Sequence, residues 1–310
     1  MLSKDKPMKQ TALIVHISDI GDIICGSVVL DSLVDQDFEV SMLVPKALPP
    51  LFKNDPRIKN IYSVEQVPTQ KFDWIFDLTS DSKSRKLMRK LQGSKKVGRV
   101  KDLWQKLRHW VTYHKMVPKM LNHHIVDDYY PVIRLMGDEF SRIPQLKTQI
   151  SRIEKTVGIH FGAHNAKRVI PIHLLKSAIS FLHEQGFVIH LLGTENEMAQ
   201  EILRETNNIP RYEKRSLGEV KDLLASLSLF IGADSGLLHI AAALETPAIG
   251  IYGPNVVRRS GPKNKSVSFF EKDLPCRPCN QNVECPINVE CMRTLQGDDL
   301  VSEIKKRLML

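Results

Sequence analysis

Short apolar runs alternate with longer amphipathic stretches along this chain. The apolar runs have the length and composition of strands buried on both faces of a sheet, and the amphipathic stretches have helical spacing. The predicted strands lie at residues 12–17, 40–44, 74–78, 156–161, 187–192, 229–231 and 248–252. The predicted helices lie at residues 23–34, 122–137, 171–185, 197–206, 219–227, 237–244 and 298–308. Strands that alternate with helices predict an α/β protein with parallel, doubly wound sheets.

Residues 141–151 contain few candidate core positions and separate two alternating series. We therefore expect two domains, residues 1–150 and residues 151–310, each with its own sheet. Ligands of open parallel sheets bind beyond the carboxyl ends of the strands. This rule places the loop at residues 18–22, which follows the first predicted strand, at a ligand-binding edge.

Residues 228–255 predict a strand, a tight turn, a helix and a second strand. Asp234 and Ser235 occupy the turn, where helix N-caps are found, and Gly236 lets a ligand approach the backbone closely. The first turn of the helix leaves N–H groups unpaired, which favours binding of a phosphate. His239 lies one turn further along on the same side. The pattern predicts a site for an anionic or hydroxylated ligand.

Composition narrows the class of protein. The chain has 310 residues, of which 42% are hydrophobic, and a formal net charge of +9, which favours a negatively charged partner. No run reaches the ~18 consecutive apolar residues that a membrane-spanning helix needs, and the N-terminal residues lack a cleavable signal pattern. We expect a cytoplasmic protein whose five cysteines are reduced.

The positive charge is concentrated at residues 83–119, which contain thirteen lysines and arginines and a single acid, Asp102. Trp104, Trp110 and Tyr113 are interleaved with these charges. A solvated face, a nucleic-acid site and an anionic membrane surface would each carry such a run. No nucleic-acid-binding motif accompanies it. We therefore favour a membrane surface and expect no nucleic-acid partner.

Four cysteines follow the last of these elements in a proline-rich segment: Cys276, Cys279, Cys285 and Cys291. Thiols at such spacings can close a tetrahedral zinc or iron site. They can also remain reduced thiols in a folded loop, which is the interpretation that we favour. The sequence leaves metal binding open.

Four motifs, in this order, make the chain similar to the ADP-heptose lipopolysaccharide heptosyltransferases of glycosyltransferase family 9. They are SDIGD at residues 18–22, HFGA at 160–163 with the later Lys167, Arg168 and Pro171, GTENE at 193–197, and GADSGLLH at 232–239 with the later YGP at 252–254. The resemblance implies the GT-B fold, in which two Rossmann-like domains with parallel sheets face a central cleft. It implies an acceptor-binding N-terminal domain, a C-terminal domain that binds the nucleotide sugar, and no cofactor.

The resemblance also implies the catalytic residues. Asp22 matches the general base, which takes the proton of the attacking acceptor hydroxyl. The other interpretation of Asp22 is a cap on the following helix, and Asp19 is the competing carboxylate. Lys167 matches the lysine that faces the leaving nucleoside diphosphate, where a fixed cation offsets the developing charge. Arg168 beside it can assist.

The donor site is implied to lie at the turn near residue 235. Backbone N–H groups of Ser235, Gly236 and Leu237 match those that hold the diphosphate, helped by the helix dipole. Asp234 resembles the residue that contacts hydroxyls of the donor sugar, and it can also cap the helix. His239 either donates to a phosphate or packs inside the domain.

Three further residues complete the implied donor site. Glu195 resembles the acid that holds the ribose of the nucleoside, as carboxylates do in other nucleotide-binding folds, with Glu197 as the alternative. Gly162 fits a close approach of the backbone to the ligand.

The implied reaction is inverting transfer of a heptose from ADP-heptose to the lipopolysaccharide inner core. The acceptor would be an anionic glycolipid, and the enzyme would lie at the inner face of the inner membrane through residues 83–119. The alternatives are a related transferase with another nucleotide sugar or a protein acceptor, and an inactive nucleotide-sugar-binding protein. Neither the sugar nor the oligomeric state follows from the sequence.

Overall fold

The chain forms two compact units, Met1–Lys147 and Thr148–Leu310, named here the N-terminal and the C-terminal unit. The computed structural model describes residues 9–120, 123–137, 143–163, 165–193, 197–212, 214–279 and 284–310. Each unit contains one six-stranded sheet in which every pair of neighbouring strands is parallel. The assignment of acceptor and donor to these units stays a prediction.

The N-terminal unit is a doubly wound α/β sheet. Its strands are β1 (Thr11–Val15), β2 (Glu39–Val44), β3 (Asn60–Ser63), β4 (Lys71–Asp77), β5 (Gln92–Val100) and β6 (Lys115–Pro118). Its helices are α1 (Ile20–Asp35), α2 (Ser82–Lys90), α3 (Leu103–His109) and α4 (Tyr130–Leu135), with 3-10 turns at Pro49–Phe52 and Asp127–Tyr129. The strand order β3-β2-β1-β4-β5-β6 is that of a Rossmann fold.

The C-terminal unit repeats this topology. Its strands are β7 (Thr156–His160), β8 (Val188–Leu192), β9 (Arg211–Tyr212), β10 (Leu229–Ala233), β11 (Ala248–Tyr252) and β12 (Val267–Glu271). Its helices are α5 (Ile172–Glu184), α6 (Glu197–Glu205), α7 (Leu217–Ser226), α8 (Gly236–Ala243), α9 (Val257–Ser260), α10 (Glu290–Arg293) and α11 (Gly297–Leu308), with a 3-10 turn at Ala166–Arg168. The order β12-β11-β10-β7-β8-β9 is the Rossmann order again.

The predicted parallel α/β sheets are confirmed, because the central strands are buried on both faces. Four of the five residues of β1 and all five of β10 are buried. Each unit has its own apolar core, one around Leu13 and Ile75 and the other around Ile159 and Ile231. Each of the two units therefore buries apolar surface of its own.

Two predictions about local structure differ from the fold. The helix predicted at residues 122–137 is shorter: α4 begins only at Tyr130, with Pro131 in its first turn, where a missing N–H costs nothing. Several elements were not predicted, namely strands β3, β5, β6, β9 and β12 and helices α2, α3, α9 and α10. Strand β5, for example, opens with the polar sequence QGSKK and lacks an apolar run. Among the described helices, none combines the length and hydropathy needed to cross a bilayer.

Candidate active site

Asp22 lies in the first turn of α1, just beyond the carboxyl end of β1. The N-cap of this helix is Asp19, whose side chain makes no capping hydrogen bond. The interpretation of Asp22 as a helix cap is therefore wrong. Its carboxyl group is half-buried at the sheet edge where ligands of such folds bind.

The surroundings of Asp22 favour the protonated form of its carboxyl group. Burial is the largest cause that raises its pKa, and the negative charges of Asp19 and Asp128 add to it. Arg99 and Lys119 act in the opposite direction. The group thus binds a proton more tightly than an ordinary aspartate does, which suits a general base.

The two cations near Asp22 are held in place by the ends of neighbouring strands. Arg99, near the end of β5, is buried, ion-pairs with Asp128 and donates to the Leu78 carbonyl. Its guanidinium group lies 4.5 Å from the centre of the Tyr129 ring. Lys119 directly follows β6, and its Nζ donates to the Thr79 carbonyl at 2.9 Å.

The basic run at residues 83–119 is therefore not one exposed surface, because Arg99 is buried and Lys119 is half-buried. Its role at a membrane stays a prediction. Burial lowers the pKa of Lys119, with Arg99 as the next cause. Lys95 lies over the Trp74 ring, with Nζ 4.4 Å from its centre. The exposed cations that remain are chiefly those of α2 and α3: Lys83, Lys86, Arg89, Lys90, Lys106 and Arg108.

A buried tyrosine fixes the backbone around Asp22. The Tyr129 hydroxyl donates to the Asp22 carbonyl at 3.1 Å and lies 3.2 Å from Nε2 of His16. Burial lowers the pKa of His16 to about 3, so this imidazole is neutral at pH 7. The contacts join the end of β1 to the first turn of α1.

In the C-terminal unit, α8 begins at Gly236 with Ser235 as its N-cap. The Ser235 side chain makes no capping hydrogen bond, and its Oγ lies 3.2 Å from Nδ1 of His160. Burial lowers the pKa of His160 to about 4, so the ring is neutral at pH 7. The arrangement leaves the N–H groups of the first turn of α8, including that of Leu237, outside the intrahelical ladder.

Asp234 is buried at the end of β10 and serves neither as the cap of α8 nor as an isolated carboxylate. Asn255 donates to its carboxylate, and Nη1 of Arg168 lies 3.4 Å from Oδ2. Arg277 in turn donates to the Asn255 carbonyl at 2.7 Å and ion-pairs with Glu271. This chain of contacts fixes the loop after β11 against the N-terminus of α8.

Lys167 lies in the 3-10 turn Ala166–Arg168, where the Asn165 side chain accepts from its backbone N–H. Lys167 lines a cavity of about 50 Å³ together with the four residues of the cysteine segment: Cys276, Cys279, Cys285 and Cys291. Burial raises the pKa of Cys291; Arg277 acts against this shift, and the other three thiols add to it. Within the described residues, no group of three or more His, Cys, Asp or Glu side chains is arranged to hold a metal ion.

The other predicted donor residues have different settings. His239 is buried on α8, which agrees with the interpretation that it packs inside the domain. A Cβ added to Gly162 would lie 3.6 Å from Nε2 of His160, an ordinary contact, so packing does not require glycine there. Glu195 lies outside the described residues. Glu197 is the first residue of α6.

Sequence reasoning missed Arg99, Lys119 and Asp128 near Asp22, and Asn255 and Arg277 near Asp234. The sequence signal that could have identified two of them is their position at strand ends. Arg99 lies at the carboxyl end of β5, and Lys119 follows β6. That signal depends on recognising both strands, which is difficult because β5 opens with polar residues and β6 is only four residues long.

The comparison with known families agrees with this geometry. The family model for glycosyltransferase family 9 (heptosyltransferase) matches residues 63–288. This chain therefore belongs to glycosyltransferase family 9, and the predicted family is confirmed.

Two curated relatives and one solved structure extend the comparison. Lipooligosaccharide heptosyltransferase 2 of Campylobacter jejuni is 30% identical over 49% of this chain, and the chain covers about half (51%) of that relative's length. Lipopolysaccharide heptosyltransferase 1 of Campylobacter coli is 22% identical over 94% of this chain and 97% of its own length. The structure of Escherichia coli ADP-heptose lipopolysaccharide heptosyltransferase II matches with a TM-score of 0.77 at 16% identity, covering 97% of this chain and 99% of that one. The last similarity confirms the GT-B fold.

The charges around Asp22 predict how its titration responds to substitution. Asp19→Asn should lower the pKa of Asp22, because it removes a nearby negative charge, and Lys119→Gln should raise it by removing a positive one. Carboxyl ¹³C NMR can follow the titration, with the Asp22→Asn spectrum identifying the signal. Asp37→Asn, at an exposed turn, is the control and should leave the midpoint in place. Equal midpoints in all four proteins would contradict this electrostatic description.

Proposed function

We propose that this chain is an inverting glycosyltransferase that moves a heptose from ADP-heptose to the lipopolysaccharide inner core. Membership of the heptosyltransferase family supports the reaction class, and similarity to Escherichia coli ADP-heptose lipopolysaccharide heptosyltransferase II supports ADP-heptose as donor. The observation that carries the proposal is the half-buried Asp22 carboxyl group, with its raised pKa, at the carboxyl edge of a Rossmann sheet. The N-terminal unit would bind the acceptor and the C-terminal unit the donor.

Asp22 is the proposed base. The acceptor hydroxyl oxygen attacks the anomeric carbon of the heptose while its proton passes to the Asp22 carboxylate. The raised pKa makes Asp22 a stronger base in its ionised form, and activity is lost as the pH falls through that pKa. The Tyr129 hydrogen bond to the Asp22 carbonyl holds the first turn of α1 and so helps to orient the side chain.

The C-terminal unit is proposed to stabilise the leaving group. As the acceptor–carbon bond forms, the bond between the anomeric carbon and the phosphate oxygen breaks, and negative charge grows on ADP. The Lys167 ammonium group and the N–H groups of Ser235, Gly236 and Leu237 offset that charge. Because Arg168 and Asn255 already engage Asp234, this carboxylate primarily fixes the turn around them. His239 and Gly162 would complete the wall of the site, and Glu195 would hold the ribose.

The acceptor is proposed to be an anionic glycolipid at the inner face of the inner membrane, which the enzyme would reach from the cytoplasm. Exposed cations on α2 support this location: Lys83, Lys86, Arg89 and Lys90. A lysine near an anionic lipid surface contributes ~1 kcal/mol to binding. Electrostatic attraction would therefore concentrate the enzyme where its acceptor lies.

The base and leaving-group roles predict different defects on substitution. Asp22→Asn should lower the transfer rate by roughly 10²–10⁴-fold while leaving the affinity for ADP unchanged, because only proton removal is lost. Lys167→Gln should lower the rate by roughly 10²–10³-fold and also weaken ADP binding, because it removes a cation from the diphosphate. Transfer assays and calorimetric titration with ADP measure the two effects.

Asp37→Asn is the matched control for the first substitution, since Asp37 is exposed and its left-handed backbone suits asparagine. Full activity of the Asp22→Asn enzyme would contradict the base role. No transfer by the unmodified protein from any nucleotide sugar, with ADP still bound, would favour the inactive binding protein.

The proposed location predicts charge-dependent binding to lipid. Charge reversal by Lys83→Glu, Lys86→Glu and Lys90→Glu should lower the affinity for anionic vesicles by roughly a hundredfold at low salt. The control is Lys53→Glu, Lys214→Glu and Lys306→Glu, which makes the same change of net charge at exposed positions elsewhere. Vesicle co-sedimentation measures both, and an equal loss in the two variants would rule out a specific role for α2.

A further inference from the structure

Helix α3 presents its apolar face to solvent. Leu103, Trp104, Leu107, Trp110 and Val111 are 69%, 77%, 58%, 71% and 75% exposed. The spacings of Leu103, Trp104, Leu107 and Trp110 place them on one side of the helix, which Trp110 extends with helical dihedral angles. Val111 follows directly in the turn after the helix. An amphipathic helix of a globular domain normally buries this face.

The opposite side of α3 attaches the helix to the sheet. His109 is buried, and its ring lies edge-to-face with Tyr113, with the ring centres 6.4 Å apart. Tyr113 donates to the Asp77 carboxylate at 2.6 Å, and Asp102 caps the helix by accepting from the Gln105 N–H. The apolar face is therefore held outward by specific contacts on the polar side of the helix.

The exposed face carries two of the three tryptophans of the chain. The third, Trp74, is buried and stacked on Phe76. A contiguous apolar patch of this kind on a folded domain marks an interaction site. Tryptophan in particular is enriched where an apolar environment meets water, because its ring is apolar and its N–H is polar.

Cations surround this patch. Lys106 and Arg108 are exposed on α3 itself. Arg85 and Arg89 of α2 lie near enough to His109 to lower its pKa, after burial as the larger cause. Apolar and aromatic side chains bordered by lysine and arginine are the composition of helices that lie in the headgroup region of anionic bilayers.

The same cations argue against a second copy of the chain as the occupant. A two-fold dimer through this patch would bring identical surfaces together, so that the cations of α2 and α3 would face one another. Like charges opposed in this way destabilise an interface. A nucleic-acid duplex would satisfy the cations but would leave the two tryptophans and two leucines without an apolar partner.

We propose that α3 inserts its apolar face, Leu103, Trp104, Leu107, Trp110 and Val111, into the headgroup–acyl boundary of an anionic bilayer. The cations of α2 draw the chain to the surface, and α3 then binds it. This inference deepens the proposed function and rests on it, because the proposed acceptor is carried by a lipid.

Salt separates insertion from electrostatic adsorption. The full chain is mixed with phosphatidylcholine vesicles with or without phosphatidylglycerol, and binding is measured by flotation at low and high salt. Screening weakens the contribution of the exposed cations but leaves burial of apolar surface. The unmodified chain should therefore keep a salt-resistant bound fraction. Trp104→Ser, Leu107→Ser and Trp110→Ser together should reduce this fraction by roughly tenfold or more.

A matched control removes exposed apolar side chains elsewhere: Ile150→Ser and Ile153→Ser. It should bind as the unmodified chain does. Tryptophan fluorescence gives a second readout, because Trp104 and Trp110 are exposed whereas Trp74 is buried. Emission should shift to shorter wavelength on addition of anionic vesicles, and lipids brominated on their acyl chains should quench it.

Three results would overturn the inference. The first is unchanged salt-resistant binding of the triple variant, and the second is no emission shift when the unmodified chain binds vesicles. The third is self-association in lipid-free solution that the triple variant abolishes, which would assign the face to a second copy. Salt-sensitive binding to a DNA duplex without any emission shift on vesicles would assign it to nucleic acid instead. None of these assays needs turnover, so a chain that failed to transfer heptose could still bind vesicles through α3.

Discussion

The electrostatic balance at Asp22 is the constraint on which the account of this protein depends. Burial and two neighbouring carboxylates disfavour its charge, whereas Arg99 and Lys119 favour it. A fully solvated carboxylate would be a weak base, and a deeply buried, unpaired one would remain protonated. The Rossmann topology sets the balance, because the strands that carry the two cations end at the edge where α1 begins.

The C-terminal unit has the same topology, which there positions the turn before α8. Its turn before α8 is held by side chains from three separate segments, namely Arg168, Asn255 and Arg277, which meet directly or indirectly at Asp234. With this carboxylate engaged, the first turn of α8 is held in one conformation, as the proposed diphosphate site requires. Preorganised donors stabilise developing charge without reorganising during the reaction. The cysteine segment takes part in this order, since Arg277 lies between Cys276 and Cys279.

Sequence patterns captured the parts of the molecule that apolar burial determines. Continuous apolar runs identified β1, β10 and β11. The family motifs indicated Asp22, Lys167 and the turn before α8, whose roles stay predictions. The patterns failed where polar side chains carry the structure. Strand β5 opens with QGSKK, so it was missed, and with it the position of Arg99. The exposure of the apolar face of α3 was likewise not predicted. The spacing of apolar residues identifies an apolar face, but it does not show whether that face packs against the domain.

The stereochemistry of transfer is the sharpest test of Asp22 as the base of an inverting reaction. The chain is incubated with ADP-heptose of one anomeric configuration and a lipopolysaccharide inner-core acceptor, and the new glycosidic bond is examined by NMR. The product should have the opposite anomeric configuration, with release of one ADP for each bond formed, because the proposed base, Asp22, supports a single displacement. Retention of configuration, or transfer from another nucleotide sugar but not from ADP-heptose, would contradict it.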